Sequence, residues 1–258
     1  MNNDDTLKGK RLLILGLARQ GKALARFAAE VGAQVTVSDF ATAEKLQAEI
    51  ADLAHLKIKY VLGGHPDELL DDCDLIAISG GASLDSPFVL KGRRMGIPLT
   101  NDSREFLKRC PTQNTIGITG SAGKTTTTSL VAAIGEQSRF NTWKGGNIGF
   151  PLIEKVDQIQ ANDLVVQELS SFQLEIWDQS PKIGVILNVT PNHLDRHKVM
   201  EVYAAAKGNI IRYQSKNDVA ILSADDSGAA GLAPLTKARV LWFGLNQAQM
   251  TGKDGATV

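Results

Sequence analysis

The sequence predicts an α/β protein of two parallel-sheet domains, and three observations predict it. Solid apolar runs alternate along the chain with stretches of helical periodicity. Two of those runs feed glycine-containing turns that open into helices, beginning at Gly16 and Gly120. A break carrying Pro111, within Cys110–Asn114, separates the two halves.

In the first half the apolar runs Arg11–Leu15, Gln34–Ser38, Leu75–Ser79 and Ile97–Thr100 read as strands. In the second half Thr115–Thr119, Leu164–Glu168, Ile183–Asn188, Val219–Leu222 and Val240–Phe243 do. Most are continuous rather than alternating, the pattern of strands covered on both faces by helices. Gly21–Val31 places Leu24, Phe27, Ala28 and Val31 on one helical face, and Lys124–Ile134 and Met200–Ile211 are two further helices. The predicted domains are 1–110 and 111–258.

With 258 residues, 43% hydrophobic and 22% charged, the chain has the composition of a folded protein of two domains. The 28 basic and 28 acidic residues cancel, so no long-range field gathers nucleic acid or an anionic membrane. No apolar run approaches the ~20 residues of a membrane span, and Met1–Lys10 is polar without an apolar signal core. Cys73 and Cys110 are far apart and read as reduced structural thiols of a cytoplasmic protein.

The first turn runs Gly16-Leu17-Ala18-Arg19-Gln20-Gly21 between strand and helix. Gly16 suits the tight turn, Gly21 close helix–strand packing, and the helix N-terminus offers N–H groups to phosphate. Asp39 closes the second strand, where dinucleotide folds place a ribose-binding acid. Ala18, however, stands where the backbone must approach a pyrophosphate closely, which weighs against NAD. Taken alone, the turn fits an ordinary ligand-free βα connection equally well. Ser79-Gly80-Gly81 follows another strand's C-terminal end, where open α/β sheets bind ligands; by itself it also fits a plain turn.

The second turn is Gly120-Ser121-Ala122-Gly123-Lys124-Thr125-Thr126, between strand and helix. Backbone N–H groups of such a loop cradle phosphates, Lys124 neutralises them, and the Thr125 hydroxyl ligates Mg2+. Only two residues separate Gly120 from Gly123, so the loop is shorter than the common phosphate-loop pattern. Glu168 ends a strand where a carboxylate can reach Mg2+. His193 lies in a polar loop, and Lys207 sits in a helix, where by itself it reads as a solvated lysine.

Together, Gly117–Thr126, Gly145-Gly146-Asn147-Ile148-Gly149, Glu168–Glu175, Leu187–His197 and Ala205-Ala206-Lys207 occur in one order. In that order they resemble the Mur ligase family, from about Arg11 to Asp226. The short phosphate loop is also the family's form. Glu168–Glu175 points to the member that joins D-glutamate to UDP-N-acetylmuramoyl-L-alanine. The resemblance implies a Rossmann-like substrate domain, then a phosphate-loop central domain, with the family's C-terminal domain absent from this chain. A chain of two domains is then expected to bind better than it catalyses.

The resemblance also implies roles. ATP would lie on Gly120–Thr126 with Lys124 on its phosphates, and two Mg2+ ions would be held, one by Thr125 and Glu168, the other by His193 and a carbamylated Lys207. Lys124, His193 and Lys207 would form the catalytic set. Asn147, Ser171 and Gln173 would face the substrate's reacting end. Gly16, Leu17, Ala18, Gly21, Asp39, Ser79, Gly80 and Gly81 would bind its UDP part. A cytoplasmic bacterial monomer is implied, with neither nucleic acid nor membrane as partner. Ser121-Ala122 and Ser79-Gly80-Gly81 depart from the family's Thr-Asn and Ser-Pro-Gly. Rival readings are another Mur or folylpolyglutamate-type ligase, a non-catalytic nucleotide-binding module, and an NAD-dependent oxidoreductase.

Overall fold

The computed structural model describes residues 5–79, 81–192 and 194–257. The chain divides into two compact units, Met1–Lys108 with Ile153–Asp157, and Arg109–Leu152 with Gln158–Val258.

The first unit is built on β1 (Arg11–Leu15), β2 (Gln34–Asp39), β3 (Ile58–Leu62), β4 (Leu75–Ile78) and β5 (Leu99–Thr100), in the order β3-β2-β1-β4-β5. Every pairing is parallel. The order reverses at β1, so the crevice for a ligand opens beyond the C-terminal ends of β1 and β4. Helix α1 (Arg19–Glu30) follows β1, and α2 (Gln47–Asp52), α3 (Pro87–Arg94) and α4 (Asp102–Arg109) complete the unit. β1 and β4 bury nearly every residue, and Leu13, Leu15, Ile76, Ile78, Phe88 and Val89 form one apolar core. The expected strands lie where the sequence puts them, with ends displaced by one or two residues. β3 was not expected: Lys59 interrupts its apolar run, as an edge strand with a wet face permits.

The second unit holds β6 (Thr115–Thr119), β7 (Thr142–Gly146), β8 (Leu164–Glu168), β9 (Ile183–Ile186), β10 (Val219–Ser223), β11 (Arg239–Gly244) and β12 (Gly255–Thr257). Their order is β12-β11-β10-β9-β6-β8-β7, again wholly parallel. Its helices are α5 (Lys124–Glu136), α6 (Ser171–Leu174), α7 (Leu194–His197), α8 (Met200–Arg212), α9 (Ser227–Ala230) and α10 (Gln247–Met250). β9 stops at Ile186 rather than Asn188, because Asn188 turns its side chain to the phosphate loop. β7 escaped the sequence reading because Gly145 and Gly146 look like a turn. A Cβ on Gly145 would meet the Phe150 carbonyl and Leu152, so the glycines permit close backbone packing inside the strand.

The N-terminal edge of this sheet is fastened by Asp163. Its carboxylate accepts from Asn141 Nδ2 (3.0 Å), Trp143 Nε1 (2.7 Å) and Gln160 N (2.9 Å). Its carbonyl accepts from Thr112 Oγ1 (2.7 Å) and Asn114 Nδ2 (3.3 Å). One residue thus ties together the starts of β6, β7 and β8, whose far ends carry the candidate site. Burial pushes the Asp163 carboxyl up, but the three donors outweigh it and hold the group below the usual range. A depressed carboxyl stabilises the fold above its unfolded pKa, and that stability is lost as pH falls through the folded value. Asp163→Ala is therefore expected to cost about 3 kcal/mol in urea unfolding at pH 7. The difference from the parent chain should shrink as the pH is lowered through the carboxylate range.

Candidate active site

The phosphate loop leaves β6 at Thr119 and enters α5 at Lys124. Gly123, at φ 80°, makes the left-handed step that only glycine takes without strain. The loop is pinned from one side by the segment that follows β9. Ala122 N donates to Asn188 Oδ1 (2.8 Å), and Asn188 Nδ2 donates back to the Ala122 carbonyl (3.2 Å). Ser121 N donates to the Asn188 carbonyl (3.0 Å). Ser121 Oγ accepts from Thr190 N (3.0 Å), donates to the Thr190 carbonyl (2.9 Å), and lies 3.0 Å from the Tyr203 hydroxyl. The Lys124 ammonium folds back to the carbonyls of Gly120 (2.9 Å) and Ser121 (3.4 Å). Thr126 is exposed.

Glu168, 1% exposed, closes the other side of the loop. Thr125 Oγ1 donates to its Oε2 and Asn147 Nδ2 to its Oε1, each at 2.8 Å. Lys207 is also 1% exposed, so it is not the solvated helix residue that its local sequence suggests. Its ammonium donates to the Gly120 carbonyl (2.8 Å) and sits 4.6 Å from the centre of the Tyr203 ring. Burial, helped by the neighbouring positive charge of Lys124, lowers its pKa to about 7. A lysine near that value presents a large neutral fraction at physiological pH, as a nucleophilic amine must.

Ser171 opens α6, and its hydroxyl lies 2.9 Å from His197 Nε2 at the end of α7. The His197 ring stacks on Phe172, with centroids 4.9 Å apart, and leans on Tyr203 at 5.1 Å. Gln173 Oε1 accepts from Ser170 N (3.0 Å), while Ser170 Oγ accepts from Gln173 N (3.2 Å), a reciprocal cap of α6. Gln173 therefore holds the helix that presents Ser171.

In the first unit a cavity of about 370 Å3 opens at the crevice beyond β1 and β4, lined by Gly16, Ala18, Asp39, Ser79 and Gly81 among others. That volume suits a small organic ligand. Gly16 is left-handed at φ 93°, and a Cβ on Gly21 would collide with the Gly16 carbonyl, so both glycines are required sterically. Asp39 accepts from Leu17 N and Ala41 N, each at 2.8 Å, and so shapes the turn. Ser79 donates to the Leu15 carbonyl at 2.6 Å. The first helix has no side-chain cap at Ala18.

The residues singled out in the sequence thus fall mainly into two groups. Gly120–Thr125, Asn147, Glu168 and Lys207 converge around one loop; Gly16, Ala18, Asp39, Ser79 and Gly81 line one crevice, with Leu17 and Gly21 buried in the turn behind it. Ser171 and Gln173 stand apart on α6, and Thr126 is exposed. His193 and Gly80 lie outside the described residues. Sequence reading passed over Asn188 and His197, although both stand in the segment Leu187–His197. It also passed over Tyr203, one helical turn before Lys207, and over Phe40 and His65 at the crevice. Among the described residues no group of three or more His, Cys, Asp and Glu side chains forms a ready-made metal cage.

Residues 118–256 match the Mur ligase middle domain, and residues 10–101 match the Mur ligase MurD-like N-terminal domain. The chain belongs to the Mur ligase family. Within it, the chain is 44% identical to the UDP-N-acetylmuramoylalanine–D-glutamate ligase of Acidobacterium capsulatum, over 93% of this chain and 52% of that protein. It is 40% identical to the enzyme of that name from Clostridioides difficile, over 92% of this chain and 53% of the relative. It spans about half the length of these curated relatives. In fold it resembles UDP-N-acetylmuramate:L-alanyl-gamma-D-glutamyl-meso-diaminopimelate ligase from Neisseria meningitides, with TM-score 0.60 and 18% identity over 91% of this chain and 78% of the other.

Burying Lys207 has a measurable consequence. A lysine whose pKa falls on folding destabilises the fold in full while both states hold the proton, below about 7. The penalty fades as pH rises from there through the unfolded value, where only the unfolded chain keeps the proton. Lys207→Met, similar in volume, is expected to stabilise the ligand-free chain by on the order of 3 kcal/mol at pH 6. The gain should diminish in chemical unfolding toward pH 10.

Proposed function

We propose that the two units are the substrate- and ATP-binding parts of an ADP-forming ligase that joins D-glutamate to UDP-N-acetylmuramoyl-L-alanine in peptidoglycan precursor synthesis. The observation that carries this reading is the convergence of Thr125, Asn147, Glu168 and Lys207 on one phosphate loop in a chain of this family. The wording Glu168–Glu175 and relatives of that name at 39–44% identity support the particular acceptor.

The triphosphate would bind along Gly120–Thr126. Lys124 would leave the Gly120 and Ser121 carbonyls for the β- and γ-phosphates, exchanging neutral partners for charged ones. The substrate's alanyl carboxylate oxygen then attacks the γ-phosphorus, ADP departs, and a carboxylate without leaving-group ability becomes an acyl phosphate. The D-glutamate amine attacks the acyl carbon, the C–O bond to phosphate breaks, and the amine loses a proton. Lys124 and the loop's N–H groups lower the repulsion between the attacking anion and the triphosphate. Asn147 and Ser171 would hold the reacting end, and the crevice at Gly16, Asp39 and Ser79–Gly81 would hold the UDP end. D-glutamate would be received by the family's C-terminal domain.

The residues present fit Mg2+. Glu168 is a buried carboxylate whose only partners among the described residues are neutral donors, which leaves its charge to be balanced by a cation. Glu168 and Thr125 supply the hard oxygen ligands this ion takes, alongside phosphate oxygens. Carbamylation of Lys207 would replace an ammonium by an anion and, with His193, complete a second site. Bound there, Mg2+ supplies charge neutralisation on the transferring phosphoryl group. The lowered pKa of Lys207 favours the neutral amine that attacks CO2. No helix among the described residues is long and apolar enough to cross a membrane, and we place the enzyme in the bacterial cytoplasm as a monomer.

Calorimetric titration tests this directly. The chain is expected to bind UDP-N-acetylmuramoyl-L-alanine and Mg-ATP, and not NAD. Lys124→Ala should weaken ATP by about 2 kcal/mol, roughly thirtyfold, and leave the sugar nucleotide unaffected. Binding of NAD in preference to the uridine nucleotide would overturn the reading.

A further inference from the structure

The crevice of the first unit continues past the glycine turn into a wall that no phosphate needs. Phe40, His65, Ser83 and Ser86 line this part of the cavity. Phe40 is 74% exposed, an unusual cost for a phenyl ring, and lies against His65 with centroids 4.3 Å apart. Phe88 also packs near the imidazole, with centroids 5.5 Å apart and the rings tilted by 46°. The Phe40 and His65 rings are inclined at 54°, so the exposed Phe40 ring can take a planar ring on its face while the imidazole stands at an angle to it. Stacking on Phe40 is indifferent to which ring is bound.

His65 is not indifferent, because its tautomer is set from behind. Ser38, wholly buried, donates its single hydroxyl proton to the Gly64 carbonyl at 2.8 Å. The same Oγ lies 2.7 Å from His65 Nδ1. With its proton committed, Ser38 can only accept there, so Nδ1 carries the ring's N–H. Nε2 is then a bare acceptor, with no hydrogen bond among the described residues. Burial lowers the pKa of His65 against the opposing pull of Asp39, which favours this neutral form. Close by, Ser83 Oγ accepts from Asp85 N (3.2 Å) and Ser86 Oγ from Val89 N (3.3 Å). Those bonds use lone pairs and leave both hydroxyl protons to be donated.

An aromatic slot with one fixed acceptor and neighbouring hydroxyl donors complements a ring edge that presents an N–H between two carbonyls. Uracil has that edge at O2, N3–H and O4. Cytosine presents a bare N3 and an amino group, so two lone pairs would meet at Nε2. We propose that His65, held as the Nδ1–H tautomer by Ser38, reads the N3–H of the base and selects uracil over cytosine. Phe40 supplies affinity without choice. The assignment rests on the first unit binding a uridine nucleotide.

The test is calorimetric titration of the full chain with UDP and with CDP. The parent chain is expected to favour UDP about tenfold, the worth of one hydrogen bond to a buried acceptor. His65→Phe, which keeps an aromatic ring, should lose most of that ratio by weakening UDP while CDP stays within about twofold. Ser38→Ala, which releases the tautomer, should narrow the ratio while both nucleotides still bind. A UDP preference left intact in His65→Phe overturns the assignment and leaves the uridine reading standing. A parent chain that binds neither nucleotide overturns both.

Discussion

The candidate active site depends on holding the Glu168 side chain buried and hydrogen-bonded at the tip of β8. A lone carboxylate in such a place is costly, and it persists where hydrogen bonds and a counter-charge compensate it. Thr125 from the first turn of α5 and Asn147 from the end of β7 provide the hydrogen bonds, at 2.8 Å each. The carboxylate therefore adds a polar tie between three elements that already pack together, α5 lying directly on β7 and β8. Gly146 makes the approach feasible: at φ 101° it has no Cβ, and one would collide with the Glu168 backbone. Of the two glycines that hid β7 in the sequence, Gly146 is the one that lets the chain at Asn147 come close to the acid.

That dependence separates what was legible in the sequence from what was not. The strands β1, β6, β8 and β10 were plain because burial on both faces demands unbroken apolar runs, and those runs are what periodicity detects. β3 and β7 were not, because an edge strand tolerates a lysine and a packed strand tolerates glycine. Lys124, Thr125 and Glu168 were legible because each stands at a strand–loop–helix junction. Asn188 and Tyr203 were not, because their work is to hold a backbone or a neighbour, and a residue type alone does not reveal that. Lys207 was the sharpest case. Its local sequence describes an exposed helical lysine, and only its order among distant motifs, together with its burial beneath Gly120, sets it apart.

The second group of contacts turns the loop's surroundings into one polar body. Ser121 touches Thr190 and Tyr203; Tyr203 touches His197 and Lys207; His197 touches Ser171. Burial raises the pKa of the Tyr203 hydroxyl and Ser121 lowers it in return, with the net shift upward, so the phenol stays a donor to the loop. The ring of that same residue faces the Lys207 ammonium. A change in the charge of Lys207 is thus felt by the group that steadies Ser121, and the loop and the amine are not independent parts.

The same geometry bears on the Ser121-Ala122 departure from the family's usual loop. If the side chain at position 122 set the loop's path, alanine there would leave the path undetermined. It does not, because Asn188 grips the backbone of Ala122 through both its N–H and its carbonyl. A backbone grip works for any residue, so the path survives the exchange. The Ala122 N–H, however, is already committed to Asn188 Oδ1. Phosphate binding must then draw on the remaining N–H groups of the loop and helix start, and on Lys124. The departure leaves the shape of the cradle in place, and the commitment of that N–H, which any residue at position 122 would share, leaves the charge compensation to the remaining N–H groups and Lys124.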